Sequence, residues 1–173
     1  MKCSNETTID RVEHVCSNIS QYADFCISIP LIKAPWHNYV IAFLHTINAF
    51  KRGKNVAKKP SLEFLIRFFG ERQIAHILND LIPKYSVKNY YVIIVLVKDQ
   101  HKEKTLMIIN EILDVLQCQY TEFTHILSPE YTTIENVVIE KLGIEIKEYK
   151  SLSEEIKNAL AIAISGCSDI IIE

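Results

Sequence analysis

The sequence predicts a helix-rich α+β fold in two layers, or an irregular α/β sandwich, for a single domain over residues 1–173. Amphipathic helix patterns dominate the chain, and one uninterrupted apolar run, 90–97, has the β-branched and aromatic composition of a strand. Three helix patterns follow one another directly, over 35–52, 61–69 and 71–82. They leave no room for regular βαβ alternation, so the pattern favours these two folds over a doubly wound sheet.

The first third of the chain contains a helix, a strand and a second, longer helix. Residues 8–19 carry apolar side chains at helical spacing, and 25–32 is a strand whose Pro30 marks an edge or a bulge. From Pro35 the pattern is helical as far as Gly53. The stripe expected to face the core consists of Trp36, Val40, Phe43, Ile47 and Phe50.

The middle of the chain continues with two helices and the apolar run. The helix over 61–69 is opened by proline and serine and ended by Gly70, and the next helix extends from Glu71 to Pro83. Because no polar residue interrupts 90–97, we expect a central strand that is buried on both faces.

The last third is again mainly helical. We predict helices over 101–117, 132–142 and 152–164 and a strand over 122–127. The residues 166–173 form either an extended tail or, over SDIIIE, a terminal strand. In the first of these helices the side chains expected to point inward are Leu106, Ile109, Leu113 and Leu116.

Charge and cysteine content restrict the class of protein. The net charge of −2 argues against a general polyanion binder, but residues 1–97 carry 12 Lys and Arg against 7 Asp and Glu, whereas 98–173 carry 7 against 14. This asymmetry indicates two surfaces with different partners, or solvated helix faces. The five cysteines form no CxxC pair, so we expect reduced thiols and a cytoplasmic protein, also nuclear in a eukaryote. No apolar run is long enough for a membrane span, and the polar start is not a secretory signal.

Motifs for nucleotide binding and for common catalytic sites are missing. The sequence contains no GxxxxGK[ST], GxGxxG, GxSxG or HExxH, although residues distant in sequence could still assemble a triad. We therefore expect a protein that is not an enzyme, with no catalytic residue, no metal, no cofactor and no small-molecule substrate.

Two turns carry the positive functional signal. The segment KRGKNVAKK, 51–59, holds five Lys and Arg and no acid, so it either contacts phosphates or complements the negative end of the preceding helix. The segment GERQ, 70–73, is either a plain glycine turn or a site where free N–H groups face an anion. There Arg72 would contact a phosphate and Gln73 a base edge.

These turns carry a resemblance to a known family. The pattern A-F-x-x-G-x-N-V-x-K over 49–58, L-E-x-L over 62–65 and G-x-R-Q-I over 70–74 resembles the small kinase-binding subunits of the KEOPS tRNA-modification complex, the TPRKB-like family. The resemblance extends over most of 7–165 and is specific over about 36–78. Residues 59–61, Lys-Pro-Ser, depart from the small or acidic residues often found there in the family.

The resemblance implies a non-catalytic, regulatory role. KEOPS installs threonylcarbamoyl on the adenosine beside the anticodon, and such subunits bind the N-terminal lobe of its small atypical kinase/ATPase, stimulate it and capture the tRNA 3′ CCA end. Their fold is a sandwich with a mainly antiparallel sheet flanked by helices. A rival interpretation is a protein-only allosteric regulator of the kinase that does not bind tRNA.

The resemblance also implies which residues bind RNA. They are Lys54, Asn55, Lys58, Gly70, Arg72, Gln73 and Ile74. The turn that begins at Gly70 would hold the single-stranded tail, with Ile74 as an apolar surface for a base unless it belongs to the core. The basic residues would lie nearby if the two turns pack side by side. We expect Glu63 to be structural, as a cap or an ion-pair partner.

Overall fold

The computed structural model describes residues 1–3, 16–97, 99–115, 117–119, 132–153, 155–157, 159–160 and 163. The chain divides into two compact units. The first, which we call the sheet unit, comprises Met1–Leu31 and Ser86–Ile126; the second, the helical unit, comprises Ile32–Tyr85 and Leu127–Glu173. Helices accompany an antiparallel four-stranded sheet, which confirms the α+β class. That residues 1–173 fold as one domain stays a prediction.

The sheet has the strand order β2-β3-β1-β4. The strands are β1 Lys2–Cys3, β2 Phe25–Ile32, β3 Ser86–Leu96 and β4 Cys118–Gln119. Strand β1 is antiparallel to both neighbours, with Lys2 opposite Tyr90 of β3 and Cys3 opposite Cys118 of β4. The predicted strand over 25–32 is confirmed, and it lies at the sheet edge, as Pro30 indicates. Strands of two residues leave no period in the sequence, so β1 and β4 were not predicted.

Strand β3 is less buried than its sequence predicts. None of its residues is fully buried, and Leu96 is 40% exposed, so the prediction of burial on both faces is wrong. An apolar strand is buried only where another layer covers it closely. Here helix α4, Lys102–Val115, borders a cleft above one face of β3.

Helix α4 follows a 3₁₀ turn at Asp99–His101, in agreement with the predicted helix over 101–117. Of its predicted inward residues, Leu113 is buried and Ile109 is partly buried, whereas Leu106 is 51% exposed. The inward prediction is therefore wrong for Leu106, which lies at the cleft instead of in a packed core. Leu116 lies outside the described residues.

Two disulfides are present in the sheet unit. Cys3 is bonded to Cys118 across the antiparallel pair β1–β4, and Cys16 is bonded to Cys26. The prediction of reduced thiols is wrong for these four residues, because proximity in space and not spacing in sequence decides pairing. Disulfides are typical of oxidising compartments, so the cysteines no longer support the cytoplasmic prediction.

Five helices of the helical unit have both of their bounds among the described residues. They are α1 Trp36–Arg52, α2 Pro60–Phe69, α3 (74–85), α5 Thr132–Leu142 and α6 Ile146–Ser151. The ends of α1 and α2 agree with prediction, since each is followed by a left-handed glycine, Gly53 with φ 65° and Gly70 with φ 59°.

Helix α3 differs from the predicted helix over 71–82 at both ends. It begins at Ile74, contains a π-helical turn at Ile77–Leu81, and continues past Pro83 to Tyr85. Proline lacks the N–H that a regular ladder requires, and the wider turn directly before it accommodates that gap.

The buried face of α1 is rotated relative to the predicted stripe. Tyr39, Ala42 and Phe43 are buried, whereas Trp36 and Val40 are 52% and 41% exposed, so the prediction is wrong for these two. Tyr39 explains the rotation. Its hydroxyl is hydrogen-bonded to the backbone of Ile32, and its ring lies 4.9 Å from that of Phe68 on α2. Burial raises the pKa of this hydroxyl, and its bond to the backbone opposes the effect only in part.

The remaining predictions are met only in part within the described residues. The helix over 132–142 is confirmed, and the described residues between 155 and 163 are helical, as the predicted helix over 152–164 requires. Helix α6 was not predicted. Of the predicted helix over 8–19 only 16–19 are described, and they are helical; the strand over 122–127 and the tail over 166–173 lie outside the described residues. Among the described residues, no helix has the length and apolarity that a bilayer crossing requires.

Candidate RNA-binding surface

The basic turn connects α1 to α2 and begins at Gly53. The left-handed conformation of Gly53 lets the N–H of Lys54 donate to the Ala49 carbonyl oxygen at 2.9 Å, which closes the end of α1. A side chain at this φ would be strained, although the space beside Gly53 is open. The chain then passes over 54–59 to Pro60, the first residue of α2.

Glu63 holds this turn from inside the helical unit. Its side chain is fully buried, and its Oε2 accepts hydrogen bonds from the backbone N–H groups of Val56 and Ala57, both at 2.8 Å. Its Oε1 accepts from Nε and Nη2 of Arg67 at 2.9 and 2.7 Å, and Arg67 is itself only 1% exposed. Every charge in the pair is thus hydrogen-bonded, as a buried ion pair requires. The structural role predicted for Glu63 is confirmed.

The predicted phosphate-binding side chains of the turn lie on the outside of this support. Lys54 and Lys58 are exposed, as are Lys51 and Arg52 at the end of α1. Asn55 is half-buried, and its Nδ2 donates to the Ala57 carbonyl oxygen at 3.0 Å, so it shapes the turn. The turn therefore presents cations from a fixed backbone.

The second turn begins at Gly70 and differs from its prediction in one respect. The carboxylate of Glu71 accepts from the N–H of Gln73 at 3.0 Å through Oε1 and from Nζ of Lys141 at 2.9 Å through Oε2. Burial alone would raise the pKa of Glu71, but these hydrogen bonds and the charge of Lys141 outweigh it and lower the pKa below its usual value. The prediction that free N–H groups face a ligand anion is wrong at Gln73, because the chain supplies the anion itself.

The side chains of this turn remain available to a ligand. Arg72 and Gln73 are exposed, and Ile74 is partly exposed at the first position of α3. One turn further on, Nδ1 of His76 lies 2.9 Å from Oδ2 of Asp80, an exposed pair that sequence reasoning did not single out. The turn thus offers a guanidinium, an amide and an apolar side chain in consecutive positions.

The two turns do not lie next to each other; they lie at opposite ends of helix α2. The basic turn precedes the N-terminus of α2 and the second turn follows its C-terminus, and α2 has 10 residues. At 1.5 Å per residue the two turns are about 15 Å apart along the helix. We call the seven predicted residues and the helix between them the α2 surface.

Besides the pair of His76 with Asp80, sequence reasoning missed three features of the helical unit. The first is the partner of Glu63: an ion pair was among its predicted roles, but Arg67 was not named, although the i, i+4 spacing could have shown it. The contact of Glu71 with Lys141 joins residues 70 positions apart and leaves no such signal. The third feature is an exposed apolar row on α1, which we call the α1 stripe: Trp36, Val40 and Leu44, with exposures of 52%, 41% and 52%.

Within the part of the chain that the structure describes, no three His, Cys, Asp or Glu side chains converge as they would around a metal ion. In comparisons with known proteins, no family model, no curated protein and no solved structure matches this chain.

Proposed function

We propose that this protein is a non-catalytic subunit of KEOPS that binds the single-stranded 3′ CCA end of tRNA on the α2 surface and docks on the kinase/ATPase subunit. The observation that carries the RNA-binding part is the rigid presentation of exposed cations at both ends of α2. Glu63, paired with Arg67, fixes the backbone of the basic turn from inside, and Glu71 ties down the turn that carries Arg72. Lys54, Lys58 and Arg72 should therefore lose little backbone freedom on binding.

Each exposed side chain has a defined task in this proposal. Lys54 and Lys58 contact phosphates as point charges, and Arg72 contacts a phosphate with two parallel N–H groups. Gln73 donates to and accepts from a base edge, and Ile74 lies under a base. Because Glu71 occupies the turn's backbone donors, binding depends on side chains and not on a helix N-terminus.

The dimensions of the surface fit a short single strand. The two turns are about 15 Å apart, and a stacked strand advances about 3.4 Å per nucleotide. The span therefore corresponds to about four nucleotides, the unpaired CCA end with the nucleotide before it.

The assignment to KEOPS rests on the sequence pattern over 49–74, and the α1 stripe supports docking on a protein partner. Trp36, Val40 and Leu44 recur every four residues, so they lie on one face of α1. An amphipathic helix that exposes such a row is typical of helix-mediated protein contacts, and aromatic residues are enriched there. We propose that the kinase covers this stripe.

A protein-only regulator is the second candidate. It is favoured by one observation, the internal neutralisation of the second turn by Glu71 and Lys141. On that proposal the α1 stripe alone docks on the kinase, and the cations of the α2 surface are solvated.

The experiment is a gel-shift titration against intact tRNA and tRNA that lacks its 3′ CCA. Tighter binding of the intact tRNA, with a salt dependence of about two released counterions for three phosphate contacts, supports the first candidate. Lys58→Gln should lower that slope by about 0.7, whereas the control Lys147→Gln, an exposed lysine on α6, should not change it. If neither tRNA binds, with or without the kinase subunit, the protein-only regulator is favoured.

A further inference from the structure

The sheet unit contains a cleft that the proposed function does not use. Its volume is about 360 Å³, which falls within the range of about 300–1,000 Å³ common for small-molecule sites. One wall is formed by Ile93 and Val95 of strand β3 and by Val97, the residue after the end of the strand. These alternate residues share one face of the strand, so the wall is entirely apolar.

The opposite wall is one face of helix α4. Its lining residues are Lys102, Thr105, Leu106, Ile109, Asn110 and Leu113. They extend over 11 residue steps, about 16 Å along the helix. Leu113 packs against the Cys3–Cys118 disulfide at one end, and Lys102 is exposed at the other. The cleft is therefore elongated, apolar along most of its length, and polar where α4 begins.

Thr105 is the observation that points to a ligand. Its side chain is only 2% exposed, and its Oγ1 has no hydrogen-bond partner. A buried hydroxyl without a partner costs about 1–3 kcal/mol, and most such groups in folded proteins are paired. Lys102 lies three residues earlier, on the same side of the helix, and forms no ion pair with any described residue.

We propose that this cleft binds a linear apolar carboxylate, such as a medium-chain fatty acid. The carboxylate accepts from the Thr105 hydroxyl and pairs with the Lys102 ammonium. The chain lies between Ile93 and Val95 on the strand and Ile109 and Leu113 on the helix. One hydroxyl and one ammonium suit a monoanion, since a phosphate group would require more donors, and an amine would be repelled by Lys102.

The first test is isothermal titration of the full chain with decanoate below its micelle concentration, and with decanol as a neutral probe. We expect saturable one-to-one binding of decanoate, and weaker binding of decanol. Thr105→Val keeps the shape and removes the hydroxyl, so it should fold normally and weaken decanoate about tenfold or more, as expected for a hydrogen bond to a charged group. Lys102→Met should weaken decanoate and leave decanol unchanged.

A filled cleft provides the second test. Ile109→Trp should abolish binding of both probes, whereas Met107→Trp, a change at a position that is 63% exposed and does not line the cleft, should leave both unchanged. If Ile109→Trp does not fold, Thr105→Val and Lys102→Met decide the question. Three results would overturn the proposal: decanoate binding to the wild-type protein that does not saturate, decanol binding as tight as that of decanoate, or equal affinity of Thr105→Val and the wild type for decanoate.

Discussion

Two buried polar side chains, Glu63 in the helical unit and Thr105 in the sheet unit, have opposite surroundings. Glu63 accepts four hydrogen bonds, two from the basic turn and two from Arg67. The Thr105 hydroxyl has none and borders a cleft of about 360 Å³. Where the chain satisfies its own polar groups, it produces a rigid surface that can present side chains to a large partner. Where the chain leaves a polar group without a partner beside a cleft, a small ligand can fill the space and form the missing hydrogen bond.

The largest effect is expected from Glu63→Leu. This change leaves the buried Arg67 guanidinium unpaired and releases the N–H groups of Val56 and Ala57, so the free energy of unfolding should fall by about 3–5 kcal/mol. Urea denaturation measures it. The double variant with Arg67→Leu removes both charges and should recover much of the stability. A single variant as stable as the wild type would mean that the ion pair does not hold the turn.

The second largest effect concerns the disulfides of the sheet unit. Cys3→Ser with Cys118→Ser opens a connection between residues 115 positions apart, and the loss should be about 2–4 kcal/mol. The pair Cys16 and Cys26, only 10 positions apart, should matter less, because a shorter loop constrains the unfolded chain less. Thermal unfolding of this double variant and of Cys16→Ser with Cys26→Ser shows which disulfide contributes more stability. Thiol titration of the unreduced protein should find one reactive cysteine of the five; five would exclude both bonds.

Two buried threonines allow the same comparison with a smaller expected change in the free energy of unfolding. Thr46 on α1 is fully buried and its Oγ1 donates to the Ala42 carbonyl oxygen at 2.7 Å, whereas Thr105 is equally buried without a partner. Thr46→Val should lower the unfolding free energy by about 1 kcal/mol, and Thr105→Val should leave it unchanged or raise it. Equal losses in urea denaturation would mean that Thr105 is satisfied in solution.

Sequence reasoning succeeded for features with a local signal and failed for features that depend on contacts between elements. Helix ends marked by proline and glycine, as at Gly53 and Gly70, could be predicted because the signal is local. The rotation of α1 could not, since the hydrogen bond of Tyr39 to Ile32 depends on how two elements meet. In the α2 surface, the basic residues and the helix between the two turns could be predicted, but the role of Glu71 required the structure.

The smallest effect is a dependence on pH at the second turn. The folded-state pKa of Glu71 is lowered, so its contribution to stability is present above the usual value near 4.5 and is lost as the pH falls through the lowered pKa. The difference in urea midpoint between wild type and Glu71→Gln should therefore be constant above about pH 6 and vanish in acid. A difference that persists unchanged at low pH would show that the charge of Glu71 is not what stabilises the turn.

The proposal that Arg72 binds the 3′ end of tRNA can be tested by a cycle of two changes, one in the protein and one in the tRNA. Affinities are measured for wild type and Arg72→Gln, each with intact tRNA and with tRNA lacking CCA. If Arg72 contacts the tail, the substitution should weaken binding of intact tRNA about tenfold, as a charged hydrogen bond implies, and leave binding of the shortened tRNA unchanged. If Arg72→Gln weakens the binding of both tRNAs equally, or weakens the binding of neither, Arg72 does not contact the tail.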